Sequence, residues 1–278
     1  MGNFEELIKQ NDSKLSTLLN LQGAPADLQR TPEWHEQRRG MVTGSKTNDL
    51  MSCDRSAAKK EWGRPEKTIA LGKSAIKYIF EKAMEREHGK VIEIPDVVQM
   101  QYGRTAEPVI VKMLKEYFSG EKNFEFVDQG FIKVPGYEEY LGASPDGLGI
   151  VKPDNVGIEI KASTNWGTLY DRIVEPIDQS HKDFWQLQTE MLALQVDMLY
   201  YVIAHPPASV YDFLASDNIT EQVGMIGEIE VIEVKASKLH QDEILKRAVL
   251  CRQIGNLYLE GKSFDNALTE VLSNFNLD

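Results

Sequence analysis

The chain has 278 residues, 42% of them apolar and 27% charged, with a formal net charge of −12. That balance suits a globular protein with a large core, one α/β domain or two modest ones, and no apolar run approaches the roughly 20 residues of a membrane helix. The acidity argues against a nucleic-acid partner until its distribution is read: Arg30 to Lys90 holds 14 Lys/Arg against 9 Asp/Glu, a local net of +5.

In chain order, the polar start MGNFEELIKQNDSK predicts a helix over about Phe4–Leu21 and lacks the basic start and apolar centre of a signal peptide. LQGAPADLQR reads as a loop. Thr31-Pro32 is an N-cap followed by proline at the first helical position, opening a helix that carries W-H-E-Q-R-R and stops near Gly40. Thr43 or Gly44 opens a short helix, SKTNDLM. Cys53 and Cys251 are far apart and have no metal-type spacing, which points to a reducing cytosol. Lys59, Lys60, Lys73, Lys77 and Lys82 read first as solvated helix faces. TIALGKSAIKYIFEKAMEREHG predicts an amphipathic helix closed by Gly89, and QMQYGRTAEPVIVKMLKEYFSG another, with Pro108 interrupting it or marking its first turn.

The pattern then changes to strands: FEFVDQGFIKV, EEYLGAS and Gly157–Ala162. Helices follow at about Asn165–Val174 and His181–Val196. LYYVIAH, SVYDFLA and GEIEVIEVK read as strands, and helices at about Lys238–Leu259 and Phe264–Phe275 end the chain. This order predicts one α/β domain, a mixed central β-sheet flanked by helices.

Two short pieces carry the chemistry. S-P-D-G, Ser144 to Gly147, has type I turn composition and is by itself most simply a turn. G-I-E-I-K begins 11 residues after Asp146. In a strand, Glu159 and Lys161 point one way and Ile158 and Ile160 the other. If that strand pairs with the one ending at Ser144, Asp146 reaches Glu159 at one end of the sheet. Two converging carboxylates form a hard-oxygen site of the kind Mg²⁺ prefers. The later IEVKAS, with Glu233 and Lys235, lacks an upstream P-D turn and reads as structural. Glu107 alone reads as a solvated helix residue, Trp34 as core packing and Arg38 as half of a surface ion pair. Phe184, Leu187, Met191 and Leu194 form a core stripe around Gln186.

Taken in series, W-H-x-x-R (Trp34 to Arg38), T-G-S (Thr43 to Ser45), Y-G-x-x-x-E (Tyr102 to Glu107), S-P-D-G, E-I-K and Q-x-Q (Gln186 to Gln188) resemble the lambda exonuclease/YqaJ family of viral recombinases, which are PD-(D/E)XK nucleases. The resemblance spans Trp34 to Gln188 in order. It implies a PD-(D/E)XK nuclease fold as a single domain over residues 1–278, with N-terminal helices (about 1–90) forming part of a DNA-end site and C-terminal helices (about 238–278) packing on the core. It further implies that Asp146, Glu159 and the Ile160 carbonyl hold Mg²⁺, with Mn²⁺ as a substitute. Lys161 would orient or activate water, Glu107 would serve a second metal position, and Gln186 would orient the water or Lys161. Arg38, Ser45 and Ser144 match the family's 5′-phosphate pocket, with Arg39 as a rival to Arg38.

The implied activity is Mg²⁺-dependent 5′→3′ digestion of linear double-stranded DNA. It would release mononucleotides and leave 3′ overhangs for a single-strand annealing protein in phage-type recombination. The implied assembly is a toroidal homo-oligomer, a trimer in the lambda enzyme, acting without a membrane in the cytoplasm of a bacterium or a phage-infected host. Two alternatives are a PD-(D/E)XK endonuclease and a catalytically silent DNA-end-binding protein.

Overall fold

The computed structural model describes residues 31–53, 71–91, 95–120, 124–151 and 154–274. The helix expected over Phe4–Leu21 and the loop after it lie outside the described residues, as do Lys59 and Lys60. Helix α1 (Pro32–Arg38) starts where the cap predicts, with the Thr31 hydroxyl accepting the Trp34 N–H. The chain then passes through Gly40, at φ +68°, into β1 (Val42–Thr43), a 3₁₀ turn (Gly44–Lys46) and α2 (Thr47–Leu50). Helix α3 (Lys73–His88) begins later than expected because Leu71 bridges Cys53 instead; it ends at left-handed Gly89.

Helix α4 (Val98–Tyr117) runs through Pro108 without a break. Proline removes one i→i−4 bond, a cost of about 3 kcal/mol. The same helix buries Tyr102, Ala106, Val109, Ile110, Met113 and Leu114. At roughly 1.5–3 kcal/mol for each large apolar side chain, that face outweighs the lost bond.

The expected run FEFVDQGFIKV divides into β2 (Glu125–Asp128) and β3 (Ile132–Lys133), which belong to different sheets. Then come β4 (Leu141–Ala143), β5 (Gly147–Val151) and β6 (Asp154–Ala162). Helices α5 (Trp166–Ile173) and α6 (Phe184–Leu194) precede β7 (Met198–Ala204). SVYDFLA, expected as a strand, is helix α7 (Val210–Ala215): the Ser209 hydroxyl accepts the Asp212 N–H, and this cap overrides the strand-like composition. Next are α8 (Ile219–Ile226), β8 (Ile229–Lys235), α9 (Lys238–Leu259) and α10 (Phe264–Asn274).

The main sheet has order β2-β5-β6-β7-β8, with β6 and β7 parallel and the other pairs antiparallel. A three-stranded sheet, β1-β4-β3, lies beside it in topology. Ile158 and Ile160 of β6 join an apolar layer with α4, α7 and α8. The opposite face carries Leu199, Tyr201 and Ile203 of β7 into a layer with α3, α6 and α9. This is a mixed α/β fold with its sheet covered on both sides by helices. Helix α9 packs on α3 and α6, and α10 packs on α9.

Strand β5 has no counterpart in the expected elements, because glycines mask it. A Cβ on Gly147 would lie 2.4 Å from the Phe126 ring, and one on Gly149 would lie 2.9 Å from Val156. Both positions are crowded enough to favour glycine, so the first half of the strand, Gly147 to Gly149, lacks the branched residues that advertise one. The strand ending at Ser144 was the expected partner of β6; β5 is the partner observed, and β4 sits in the other sheet.

The IEVKAS stretch is the edge strand β8, with Glu233 and Lys235 exposed. Gln188 of α6 pins its end: the side chain donates to the Lys235 carbonyl at 3.0 Å and accepts the Ser237 N–H at 2.8 Å. Gln188→Ala is expected to strand both backbone groups and to lower stability by about 1–3 kcal/mol. The check is a urea titration in which the midpoint falls and the slope is unchanged; an unmoved midpoint would remove this role.

Candidate active site

The site is assembled where β5 begins. Gly147 pairs with Ile158, so one step back along β5 sets Asp146 beside Glu159. Asp146 Oδ2 accepts the Ile160 N–H at 2.6 Å, a bond that a longer β5 would have made through its backbone. In an extended strand the N–H and C=O of one residue leave from the same edge. The Ile160 carbonyl therefore faces the space beside Asp146. The alternation of β6 is as expected: Glu159 and Lys161 turn toward α6, while Ile158 and Ile160 turn toward α4.

Glu159 is buried at 3% exposure, and its Oε1 accepts from Lys161 Nζ and from Gln186 Nε2, both at 2.6 Å. Gln186 Oε1 accepts from Lys161 Nζ at 3.0 Å, closing a triangle of three side chains. Helix α6 supplies a fourth member that the sequence reading missed. Glu190 is fully buried and accepts the Gln186 Nε2 at 2.7 Å. The available signal was its spacing, four residues after Gln186 on one helical face.

Charge is in surplus here. Burial raises the Asp146 carboxyl well above its ordinary range, and repulsion from Glu159 and Glu107 adds to that. Glu107 on α4 is thereby brought within electrostatic reach of Asp146. Glu190 is raised for the same reasons, burial first and then Glu159. Burial would lower Lys161, but Glu159, Asp183 and Glu190 outweigh it, so its ammonium is held more firmly than usual. Behind it Asp183 accepts from Tyr201 Oη and, at 3.2 Å, from Arg172 Nε. Burial pushes Asp183 up, but Lys161, that hydroxyl and Arg172 prevail and lower it.

Among the described residues no group of three or more His, Cys, Asp or Glu side chains could hold a metal ion alone. The donors offered to a cation are instead Asp146, Glu159 and the Ile160 carbonyl. Glu159 Oε2 is buried with no hydrogen-bond partner. Two carboxylates, one of them with an unsatisfied buried oxygen, and a backbone oxygen fit Mg²⁺, which keeps several waters in its shell.

Ser45 and Ser144, two of the residues expected in the phosphate pocket, each follow one of two paired strands. β1 and β4 run parallel, Val42 opposite Leu141 and Thr43 opposite Gly142. A Cβ on Gly44 would stand 3.1 Å from Ala143 and 3.9 Å from Glu190. Ser45 and Ser144 follow one step along each chain, Ser45 exposed and Ser144 Oγ buried without a partner. Thr189 Oγ1 donates to Thr47 Oγ1 at 3.0 Å, joining α6 to α2.

Arg38 and Arg39 are told apart by their surroundings. Arg39 pairs with Glu36 and donates to the Gly89 carbonyl. The Arg38 guanidinium lies over Trp34, 3.7 Å from its ring centroid, and 5.6 Å from that of Phe131. It has no ion pair among the described residues, and burial lowers its pKa to about 10 despite Tyr78 and Glu85. The Tyr78 hydroxyl accepts the Thr43 N–H at 3.1 Å and Glu85 Oε2 accepts the Gly40 N–H at 2.9 Å, so α3 holds both flanks of this seat. Trp34 is thus a stacking platform for Arg38 and is only half-buried.

The profile of the YqaJ-like viral recombinase domain matches residues 33–193, more than half of the chain. No match is found among curated proteins. Among solved structures, an alkaline exonuclease (LHK-Exo) from Laribacter hongkongensis is similar at TM-score 0.59 and 20% identity, over 83% of this chain and 95% of that one. The same enzyme in complex with dAMP matches equally. A phage-related exonuclease from Haemophilus somnus 129PT matches at TM-score 0.59 and 17% identity, over 80% and 96%. The chain therefore belongs to the YqaJ-like viral recombinase family.

Proposed function

We propose that this DNA exonuclease is Mg²⁺-dependent, enters linear duplex at 5′-phosphorylated ends and digests one strand 5′→3′. It releases mononucleotides and leaves a 3′ overhang for a single-strand annealing protein. The observation that carries the reading is the cluster in which Glu159, Lys161 and Gln186 are mutually hydrogen-bonded beside Asp146. Arg38, stacked on Trp34 and without an ion pair among the described residues, supplies the phosphate seat in this reading. The LHK-Exo structure with dAMP, a mononucleotide, is consistent with such a product.

Asp146, Glu159 and the Ile160 carbonyl hold Mg²⁺ in this reading, with Mn²⁺ as a substitute and Glu107 serving a second position. When bound, the ion supplies Lewis-acid relief of phosphate charge and lowers the pKa of water. Lys161, held cationic by its carboxylates, orients the attacking water and steadies phosphate charge; it is a poor proton acceptor. Gln186 fixes Lys161. Arg38, Ser45 and Ser144 grip the 5′-phosphate, the guanidinium through a forked contact. The chain acts as one nuclease domain in the cytoplasm, assembled as a ring around DNA. Enclosure offsets the weak attraction between an acidic protein and a polyanion. Among the described residues no helix is long and apolar enough to cross a membrane.

A blunt linear duplex, labelled at one 5′ or one 3′ end and phosphorylated or not, tests this directly. With Mg²⁺ the 5′ label should leave first as a mononucleotide, EDTA should stop the reaction, and a closed circle should stay intact. Loss of the 3′ label first would refute the polarity. Cutting of the circle would favour an endonuclease, and end binding with no turnover in Mg²⁺ or Mn²⁺ a silent binder.

A further inference from the structure

We infer that Glu190 is a positioning residue that fixes the orientation of the Gln186 amide and, through it, the place of Lys161. The inference rests on the proposed roles of Lys161 and Gln186. Gln186 Nε2 has two hydrogens and meets two carboxylate oxygens, Glu159 Oε1 at 2.6 Å and Glu190 Oε1 at 2.7 Å. A carboxylate oxygen only accepts. Two acceptors on one side force the NH₂ group there and turn Oε1 toward Lys161 Nζ, 3.0 Å away. With Glu159 as the only acceptor for the NH₂ group, the terminal amide is held less firmly against rotation, because that torsion is broad. A rotated amide would present N–H groups to an ammonium, which has nothing to accept with.

The placement of Glu190 is built rather than incidental. Its side chain is fully buried in a helix whose neighbours Leu187, Met191, Ala193 and Leu194 are core. An unpaired polar group is costly in such a place. Gly44 lies alongside it, since a Cβ there would stand 3.9 Å from Glu190 Cγ, an ordinary contact distance. Glu190 thus lies between the Lys161 triangle and the T-G-S turn, and what it offers Gln186 is an acceptor atom. A glutamine at 190 can offer the same atom; a leucine cannot.

The test measures kcat and KM on a blunt phosphorylated duplex for Glu190→Leu, Glu190→Gln, Gln186→Ala and the double variant Gln186→Ala/Glu190→Leu. Glu190→Leu should lower kcat about 30- to 100-fold with KM for DNA ends unchanged, the scale of a small misplacement. Glu190→Gln should restore most of kcat. Adding Glu190→Leu to Gln186→Ala should cost nothing further, because residues acting in series are not additive. Multiplying losses in the double variant would overturn the inference. So would a Glu190→Gln enzyme that melts normally yet is as slow as Gln186→Ala, a result that stands even if the leucine variant does not fold. Lys161→Ala separates the levels. Full activity there defeats the proposed site, whereas an inactive Lys161→Ala with additive Glu190 effects defeats this inference alone.

Discussion

Glu159→Gln should slow duplex digestion by about a thousandfold without lowering the melting temperature. The rate loss has two sources. An amide at 159 has one acceptor oxygen where the carboxylate now serves Lys161 and Gln186 through Oε1 and keeps Oε2 unengaged. It also removes a negative charge from the donor set offered to a cation. Stability moves the other way. Glu159 repels Asp146 and Glu190, and that repulsion helps to raise both carboxyls. Neutralising it relieves the crowding, while Lys161 keeps Asp183, Glu190 and Asp146 as neighbours. Single-turnover digestion and a thermal melt on one preparation check both halves. A variant that digests at the wild-type rate removes Glu159 from the chemistry. One that melts well below wild type makes the Lys161 pair a structural bond.

Arg38→Ala should slow digestion of 5′-phosphorylated ends by roughly 30- to 100-fold, the worth of a charge-assisted bidentate contact of about 2–3 kcal/mol. Ends bearing a 5′-hydroxyl should lose much less. Arg39→Ala should change neither, because its guanidinium is engaged by Glu36 and the Gly89 carbonyl. The quantity to compare is the ratio of rates on phosphorylated and unphosphorylated ends. A ratio that survives Arg38→Ala and collapses in Arg39→Ala would reverse the two assignments. Arg38→Lys should not restore the ratio, since an ammonium cannot both stack on Trp34 and fork onto a phosphate.

Much of this site is legible in the chain itself. Glu159 and Lys161 share a face because strand side chains alternate with period two, and the helix over Lys238–Leu259 has the bounds its pattern predicts. The ordered motifs carry the family, and family membership follows from residues 33–193. Other features had no local signal strong enough to decide them. The partner of β6 is β5, a glycine-rich strand whose missing side chains make room for Phe126 and Val156. Pro108 sits inside a helix because the buried face of α4 outweighs one lost hydrogen bond. SVYDFLA has strand composition and a serine cap, and the cap prevails.

Glu190 and the two arginines mark the boundary most sharply. In the chain, Glu190 is one acidic residue in an apolar run, and Arg38 and Arg39 are identical neighbours. Glu190 acquires meaning when α6 settles against β6 and the Gln186 amide must divide its hydrogens between two carboxylates. Arg38 becomes distinct from Arg39 when α1 turns one guanidinium over Trp34 and Phe131 and the other toward Glu36. The sequence by itself determined which residues share a strand face or a helix turn, because backbone geometry repeats over two or four residues. Tertiary structure alone decided which of them touch across elements, because burial and the pairing of donors with acceptors act on side chains that the chain holds far apart.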